Sequence, residues 1–324
     1  MAKKKNRRHA RSPIAIAVSI VLILFAYVFC CAVDFYNIDI GVDIKVPGYN
    51  VFELFAPKQT IENETPTVPQ SGEVYFHFID VGQGDAILVT TPEGNMLIDT
   101  SVSGVRKDLD LYLRGAGVGT LKYLVLTHPD ADHIGNADYI IDNYEIENII
   151  MTDRTATSKT YERLLDAIER STANVILAEA GYKFELGGLI NTILAPVKEY
   201  DDSNEMSIVI KSVYGNTSVM LTGDAERESE ADALKKWSAD TFKCDILKVG
   251  HHGSTSSTTA NFLNAVDPDI AIISCGEDNT YGHPHDEIVK RLEAKGIKIY
   301  RTDIDGDIVF KTDGKEFELV EPTT

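Results

Sequence analysis

The chain has 324 residues, 44% of them apolar, which suffices for a substantial core in one large or two small domains and excludes a disordered protein. Its formal net charge is −19, unevenly spread: Lys3, Lys4, Lys5, Arg7, Arg8 and Arg11 precede the first acid, Asp34, and leave 25 basic against 50 acidic residues. So acidic a body excludes broad electrostatic adhesion to nucleic acid, and a polyanionic substrate has to be handled locally, by metal ions and a small basic pocket.

Residues 1–11 read as a basic tail. No residue from Ser12 to Val33 is charged, and an apolar helix of about 20 residues crosses a bilayer core of about 30 Å. The run is long for a signal-peptide core, no small-x-small cleavage site follows it, and Tyr27 and Phe29 fit poorly beside a lipoprotein cysteine. The expectation is an uncleaved single-pass anchor at 12–33, with the basic side in the bacterial cytoplasm and the rest of the chain outside. Residues 34–72, with Pro47, Pro57, Pro66 and Pro69, read as a linker that holds the domain at 73–324 off the membrane. Cys244 and Cys275 open and close two different apolar strands and are expected to be buried thiols rather than a bridge.

From Val74, three strands (VYFHFIDV, DAILVTT, NMLIDT) are separated by Gly82-Gln83-Gly84 and Pro92-Glu93-Gly94, the pattern of a meander. A helix is expected over Val105 to Gly115, then a strand over 121–127. A helix from Ile134, strand IENIIM, a helix over Ser158 to Arg170 and strands NVILA, KFEL and LINTILA come next. The hairpin SIVIKSVY/TSVMLTG turns at Gly215-Asn216. The remainder alternates: a helix over Ala225 to Trp237, strand CDILKV, a helix over Thr259 to Val266, strand DIAIISC, a helix over Asp286 to Ala294, strand IKIY and a closing hairpin turned at Asp313-Gly314. Two β-rich halves carrying outer helices predict an α/β fold, a four-layer αβ/βα sandwich whose loops meet at one edge.

The segment THPDADHIG, Thr127 to Gly135, ends a buried strand with His128, Asp130, Asp132 and His133, four ligand-type side chains within six positions. Pro129 and Gly135 bracket a turn in which they can converge on a metal. The plainer reading is a polar loop with Asp132 capping the next helix. Further chemistry falls at other strand ends. Asp224 follows SVMLTG and has two oxygens to share between cations, with a helix cap as its alternative. His251, His252 and Ser254 follow CDILKV, in a hydroxyl-rich loop suited to a phosphate. His283 and His285 follow IAIISC, and Asp80 and Asp85 join the first two strands. His77, mid-strand between Phe76 and Phe78, reads as structural.

IDVGQGDA, HPDADHIG, LTGDAE, KVGHHGS and YGHPH, in that order, resemble the metallo-β-lactamase-like hydrolase superfamily and, within it, the branch of the ComEC competence proteins; the resemblance covers about Glu73 to Val320. It implies that His128 and Asp130 hold one metal and that Asp132, His133 and His251 hold a second, with Asp224 bridging. In two places the chain departs from the superfamily pattern: Asp130 stands where a histidine is usual, and Asn204 or Ser207 stands near the place of a further histidine. The first site is therefore oxygen-rich, and two divalent ions, Mn²⁺ or Zn²⁺ with Mg²⁺ also suited, are expected. Asp80, Asp85, Asp99 and Asn204 are expected behind the ligands, and His252, Ser254, His283 and His285 against substrate. His283 and Asp132 are the expected catalytic residues, His283 as proton donor to the leaving group or else as a neutral hydrogen-bond donor to phosphate. ComEC proteins also carry a multi-span channel, whereas this sequence has one expected span. The expected function is that of a membrane-anchored phosphodiesterase acting on nucleic acid; hydrolysis of a wall-polymer phosphodiester, lactone or lactam, or a non-catalytic metal-bearing module of a competence or envelope assembly, are the alternatives.

Overall fold

The computed structural model describes residues 72–320. The expected tail, span and linker lie outside the described residues, and no described helix is long and apolar enough to cross a membrane.

One sheet begins with β1 (Val74–Phe78), β2 (Ile87–Thr91), β3 (Gly94–Ile98), β4 (Thr120–Leu126), β5 (Glu145–Met151) and β6 (Asn174–Leu177). The second comprises β7 (Lys183–Leu186), β8 (Leu189–Ala195), β9 (Val209–Tyr214), β10 (Thr217–Leu221), β11 (Ile246–Lys248), β12 (Ile270–Ile273) and β13 (Lys298–Arg301). The closing hairpin, β14 (Ile308–Thr312) and β15 (Phe317–Leu319), does not extend the second sheet; it crosses back and pairs β14 antiparallel to β1, with Phe76 opposite Phe310. The orders are β15-β14-β1-β2-β3-β4-β5-β6 and β13-β12-β11-β10-β9-β8-β7. The expected meander is the antiparallel run β1-β2-β3; from there β3 to β6, and β10 to β13, are parallel.

Alternation along the strands sorts the side chains into layers. Phe76, Phe78, Ile98, Val125, Val219, Leu221, Ile246 and Phe310 face inward, and the two sheets close over them. The opposite faces carry Leu97, Leu124 and Leu126 on one sheet and Met220, Leu247 and Ile273 on the other. Helices cover those outer faces. Lys159–Arg170 buries Tyr161, Leu164 and Ala167, capped by Ser158 Oγ accepting from Tyr161 N at 3.2 Å; Asp286–Glu293 buries Ile288 and Leu292. Each such Leu or Ile contributes roughly 1.5–3 kcal/mol of burial. The four layers are thus αβ/βα, as the alternation of segments implied. Cys244 and Cys275 are buried free thiols.

The helix expected from Ile134 is two pieces, Ala131–Ile134 and Ala137–Asn143. The first starts inside the ligand loop and carries Asp132 and His133. Gly135 explains the tight fit there: a Cβ would lie 2.3 Å from Ser101 O and 2.6 Å from Ala131 O. The C-terminal ends of β3, β4, β10, β11 and β12 all lead into the loops that build the site, the usual place for chemistry in an open parallel sheet.

Candidate metal centre

The centre is assembled from the strand ends upward. Asp99, just past β3, has φ 59° and turns its carboxylate onto the end of β4: Oδ1 accepts from Thr127 N at 2.8 Å and Oδ2 from Thr127 Oγ1 at 2.6 Å. The same Oδ2 lies 2.7 Å from His133 Nδ1. A carboxylate there can accept the Nδ1 proton, which would leave His133 Nε2 for a cation once one displaces the proton held there by Asp224. Thr127 Oγ1 and Ser207 Oγ lie 3.1 and 3.2 Å from His128 Nδ1, which turns His128 Nε2 inward. Ser207 Oγ also accepts from Asp224 N at 3.1 Å. Of the two residues considered for that place, Ser207 is the one against the centre; Asn204 bonds Asp202 and, at 3.5 Å, Glu226.

The histidine pair after β11 is arranged opposite to expectation. His251 and His252 both have left-handed backbone, φ 45° and 52°, and this sharp turn sends the adjacent rings to different places, with centroids 6.0 Å apart. His252 is buried, directs Nδ1 to Ser274 O at 2.9 Å and brings Nε2 to 3.4 Å from Asp224 Oδ2 and 3.5 Å from Asp132 Oδ2. Asp132, His133, Asp224 and His252 offer ligand atoms that all lie within 4.8 Å of one another. His251 stands outside that group: its Nδ1 is 2.7 Å from Glu226 Oε1, and its Nε2 is 3.7 Å from Asp224 Oδ2. The adjacent side chains diverge as expected, but it is His252, not His251, whose ring joins the candidate ligand group. His128 adjoins the group, its ring 4.1 Å from that of His133 and its Nε2 3.9 Å from Asp130 Oδ2.

His128 Nε2, His133 Nε2, His252 Nε2 and Asp224 Oδ1 are buried without a hydrogen-bond partner. Such atoms are costly unless something else satisfies them, and imidazole nitrogens converging with carboxylates suit a divalent cation. Charge follows the same geometry. Burial opposes ionisation of Asp224, yet His252 and His133 hold its carboxyl well below the usual range. Burial alone would push His133 down, but Asp224 and Asp99 hold it well above its ordinary value, and His252 likewise rises to about 9 against burial through Asp224 and Asp132. Burial and the positive field of His133 push His128 well down.

Beneath the ligands lies a pair that sequence reasoning missed in part. Lys248, wholly buried on the same strand face as Ile246, places Nζ 2.5 Å from Asp85 Oδ2 and 3.4 Å from Gly223 O. Asp85 Oδ1 lies 3.6 Å from His252 Nδ1, beneath the candidate ligand group, whereas Lys248 read only as a strand residue. The loop before Asp85 packs closely on the ligand loop, and a Cβ on Gly84, whose φ is +128°, would sit 2.4 Å from Asp132 O. Asp80 does not join the centre: exposed, it caps Gly82 N at 3.1 Å and shapes the turn.

At the rim, Glu226 Oε1 accepts from Ser256 Oγ at 2.7 Å while holding His251, and neither residue beside His251 was singled out from sequence. The signal available was Glu226 two positions past Asp224. His283 is edge-on to His251 and His285, with centroids 5.4 and 4.9 Å away, and burial, then the neighbouring His251, pushes it down to about 4. His285 stands at the first position before the helix Asp286–Glu293, but its side chain does not cap that helix; its Nδ1 accepts from Thr255 N at 3.0 Å instead. Ser254 Oγ is engaged with Ser256 Oγ at 2.8 Å. Asp130 Oδ1 accepts from Ser203 Oγ at 2.8 Å.

Residues 79–277 match the model of the metallo-beta-lactamase superfamily. ComE operon protein 3 of Bacillus subtilis (strain 168) is 31% identical over 265 residues, 76% of this chain and 34% of that protein. Competence protein ComA of Neisseria gonorrhoeae is 32% identical over 235 residues, 71% of this chain and 31% of that protein. The chain thus spans about a third of the length of these curated relatives. Among solved structures, the metallo-beta-lactamase fold protein YhfI from Bacillus subtilis aligns with a TM-score of 0.49 at 12% identity, over 75% of this chain and 100% of that one. With its motifs in the order seen above, the chain belongs to the metallo-beta-lactamase superfamily, in the branch of the ComEC-type competence proteins.

Proposed function

We propose that the chain is a metal-dependent phosphodiesterase that cuts nucleic acid at the outer face of a bacterial membrane, anchored there through residues 12–33. The observation that carries this reading is the convergence of four buried, unpartnered ligand atoms with a rim of imidazoles. The relatives named for competence support nucleic acid as the substrate. Asp132, His133, Asp224 and His252 would hold one divalent ion, and His128 and Asp130, sharing Asp224, a second. Mixed nitrogen and oxygen ligands suit Mn²⁺ or Zn²⁺, with Mg²⁺ weaker. When bound, such ions supply the acidity of the attacking water and the polarisation of phosphoryl oxygens.

The chain's own residues do the rest. Near neutral pH His283 is an uncharged imidazole, fitted to donate a hydrogen bond to a phosphate oxygen rather than a proton to the leaving group. His251, locked by Glu226 at Nδ1, turns Nε2 toward Asp224 and is the imidazole oriented to hand a proton to the departing sugar oxygen. Asp99, Ser207 and the Ser274 carbonyl hold the rings of His133, His128 and His252 in place. The test is a screen of the full chain with Mn²⁺, Zn²⁺ and Mg²⁺ against labelled single-stranded and duplex DNA, a wall-polymer phosphodiester, a lactone and a lactam. Cleavage of DNA is expected; turnover of a lactone or lactam alone would overturn the reading. For the topology, protease added outside intact cells should release the domain by cutting before Gly72, and protection would place it inside.

A further inference from the structure

Tyr281 is 65% exposed, in the loop between β12 and the helix Asp286–Glu293. Its ring lies nearly parallel to that of His283, with centroids 5.7 Å apart and 20° between planes, so it stacks beside an imidazole of the rim while most of its surface stays open. The loop that carries it is braced. Asn279 Oδ1 accepts from His283 N at 3.0 Å, and Asn279 Nδ2 donates to Gly276 O at 2.9 Å. Gly276 N donates to Gln83 Oε1 at 3.3 Å, and a Cβ on Gly253 would meet Pro284 Cβ at 2.6 Å, so the loop is wedged between the Gly82–Gly84 turn and the loop of His251 and His252. Among the described residues the other exposed tyrosine, Tyr182, is 37% exposed and stacks on Phe184 of β7. Tyr281 is therefore a largely exposed aromatic plate on a braced loop, stacked beside the rim imidazole of His283, on a protein whose net charge of −19 repels a polyanion.

We propose that Tyr281 is the stacking platform for the nucleobase next to the phosphodiester that is cut. The proposal rests on the phosphodiesterase reading and adds what replaces the missing electrostatic attraction: every base has a π face, so a plate here binds nucleic acid without reading its sequence. It also implies a preference for single strands, because the bases of a duplex are already stacked on one another.

The experiment compares a thymidine hexamer with a hexamer of the same backbone lacking bases, using the full chain in Mn²⁺. Wild type should prefer the base-bearing hexamer, and in Tyr281→Ala the ratio of the two kcat/KM values should fall by about 5- to 150-fold, equivalent to about 1–3 kcal/mol of stacking. Tyr281→Phe and Tyr281→Trp should keep the ratio. A ratio unchanged in Tyr281→Ala, or lost equally in Tyr281→Phe, would overturn the proposal. If wild type cuts neither hexamer, the phosphodiesterase reading fails, and binding decides the platform separately. Fluorescence anisotropy should then show the base-bearing hexamer bound more weakly by Tyr281→Ala than by wild type, and equal binding would refute it.

Discussion

Lys248→Met should destabilise the domain severely through a charge that the substitution does not touch. Lys248 and Asp85 are 0% and 1% exposed, with Lys248 Nζ 2.5 Å from Asp85 Oδ2; Asp85 Oδ1 has no hydrogen-bond partner. Methionine keeps the apolar stem and removes the ammonium, leaving a buried carboxylate whose nearest remaining countercharge is the His252 ring, 3.6 Å away and not hydrogen-bonded to it. Breaking one side of a buried pair costs about 3–5 kcal/mol, a large part of the roughly 5–15 kcal/mol that holds a domain together. At about 2–4 °C per kcal/mol for a domain of this size, the melting temperature should fall by about 6–20 °C. Removing both charges, in Lys248→Met/Asp85→Leu, should recover most of that loss, since well-packed apolar replacements of a buried pair are often neutral. The double variant should nevertheless bind metal more weakly, because His252 has lost the carboxylate behind its Nδ1. Thermal and urea unfolding in chelator give the stabilities free of metal linkage, and a metal titration gives the second readout. Lys248→Met within about 1 kcal/mol of wild type, or a double variant no more stable than the single, would refute the reasoning.

Asp99→Asn should weaken metal binding about 10- to 100-fold by freeing the His133 ring, with little change in fold; unchanged affinity in a metal titration would remove Asp99 from that role. His283→Ala should slow cleavage of DNA and of a nitrophenyl phosphodiester to a similar degree, whereas Glu226→Gln should spare the nitrophenyl ester, whose leaving group needs no proton; the reverse pattern would return the donor role to His283. Away from the centre, burial pushes His77 from 6.5 down to about 4, so between those values the folded state binds fewer protons than the unfolded chain. Its contribution is present above pH 6.5 and is lost as pH falls toward 4, by up to about 3 kcal/mol, less for a ring that is partly exposed. Urea unfolding of His77→Gln between pH 7 and 4 should show a flatter decline than wild type, and parallel curves would contradict the assignment.

What the sequence revealed, and what it hid, follows from the range of each signal. Period-two strands such as VYFHFIDV and the ligand run HPDADHIG are local patterns, and the sandwich and the positions of His128, Asp132, His133 and Asp224 follow from them. The order of His251 and His252 depends on two left-handed residues in a row, which no local preference of histidine announces. Lys248 is a long-range case: its charge is tolerable inside only because Asp85, from a loop of the other sheet, meets it there. Glu226 was hidden for the same reason, reading as part of a helix until the fold set it behind His251. The return of β14 to β1 is likewise a pairing across the whole domain, with nothing in the closing hairpin to select its sheet.

The central claim is that the clustered imidazoles and carboxylates hold the ions that drive hydrolysis. It is tested most directly by measuring bound metal and DNA turnover together in wild type and Asp224→Ala, with unfolding curves to show that both are folded. Wild type should carry two divalent ions per chain, and Asp224→Ala should be a folded domain with fewer ions and no turnover. Two ions and full activity retained in Asp224→Ala would contradict it.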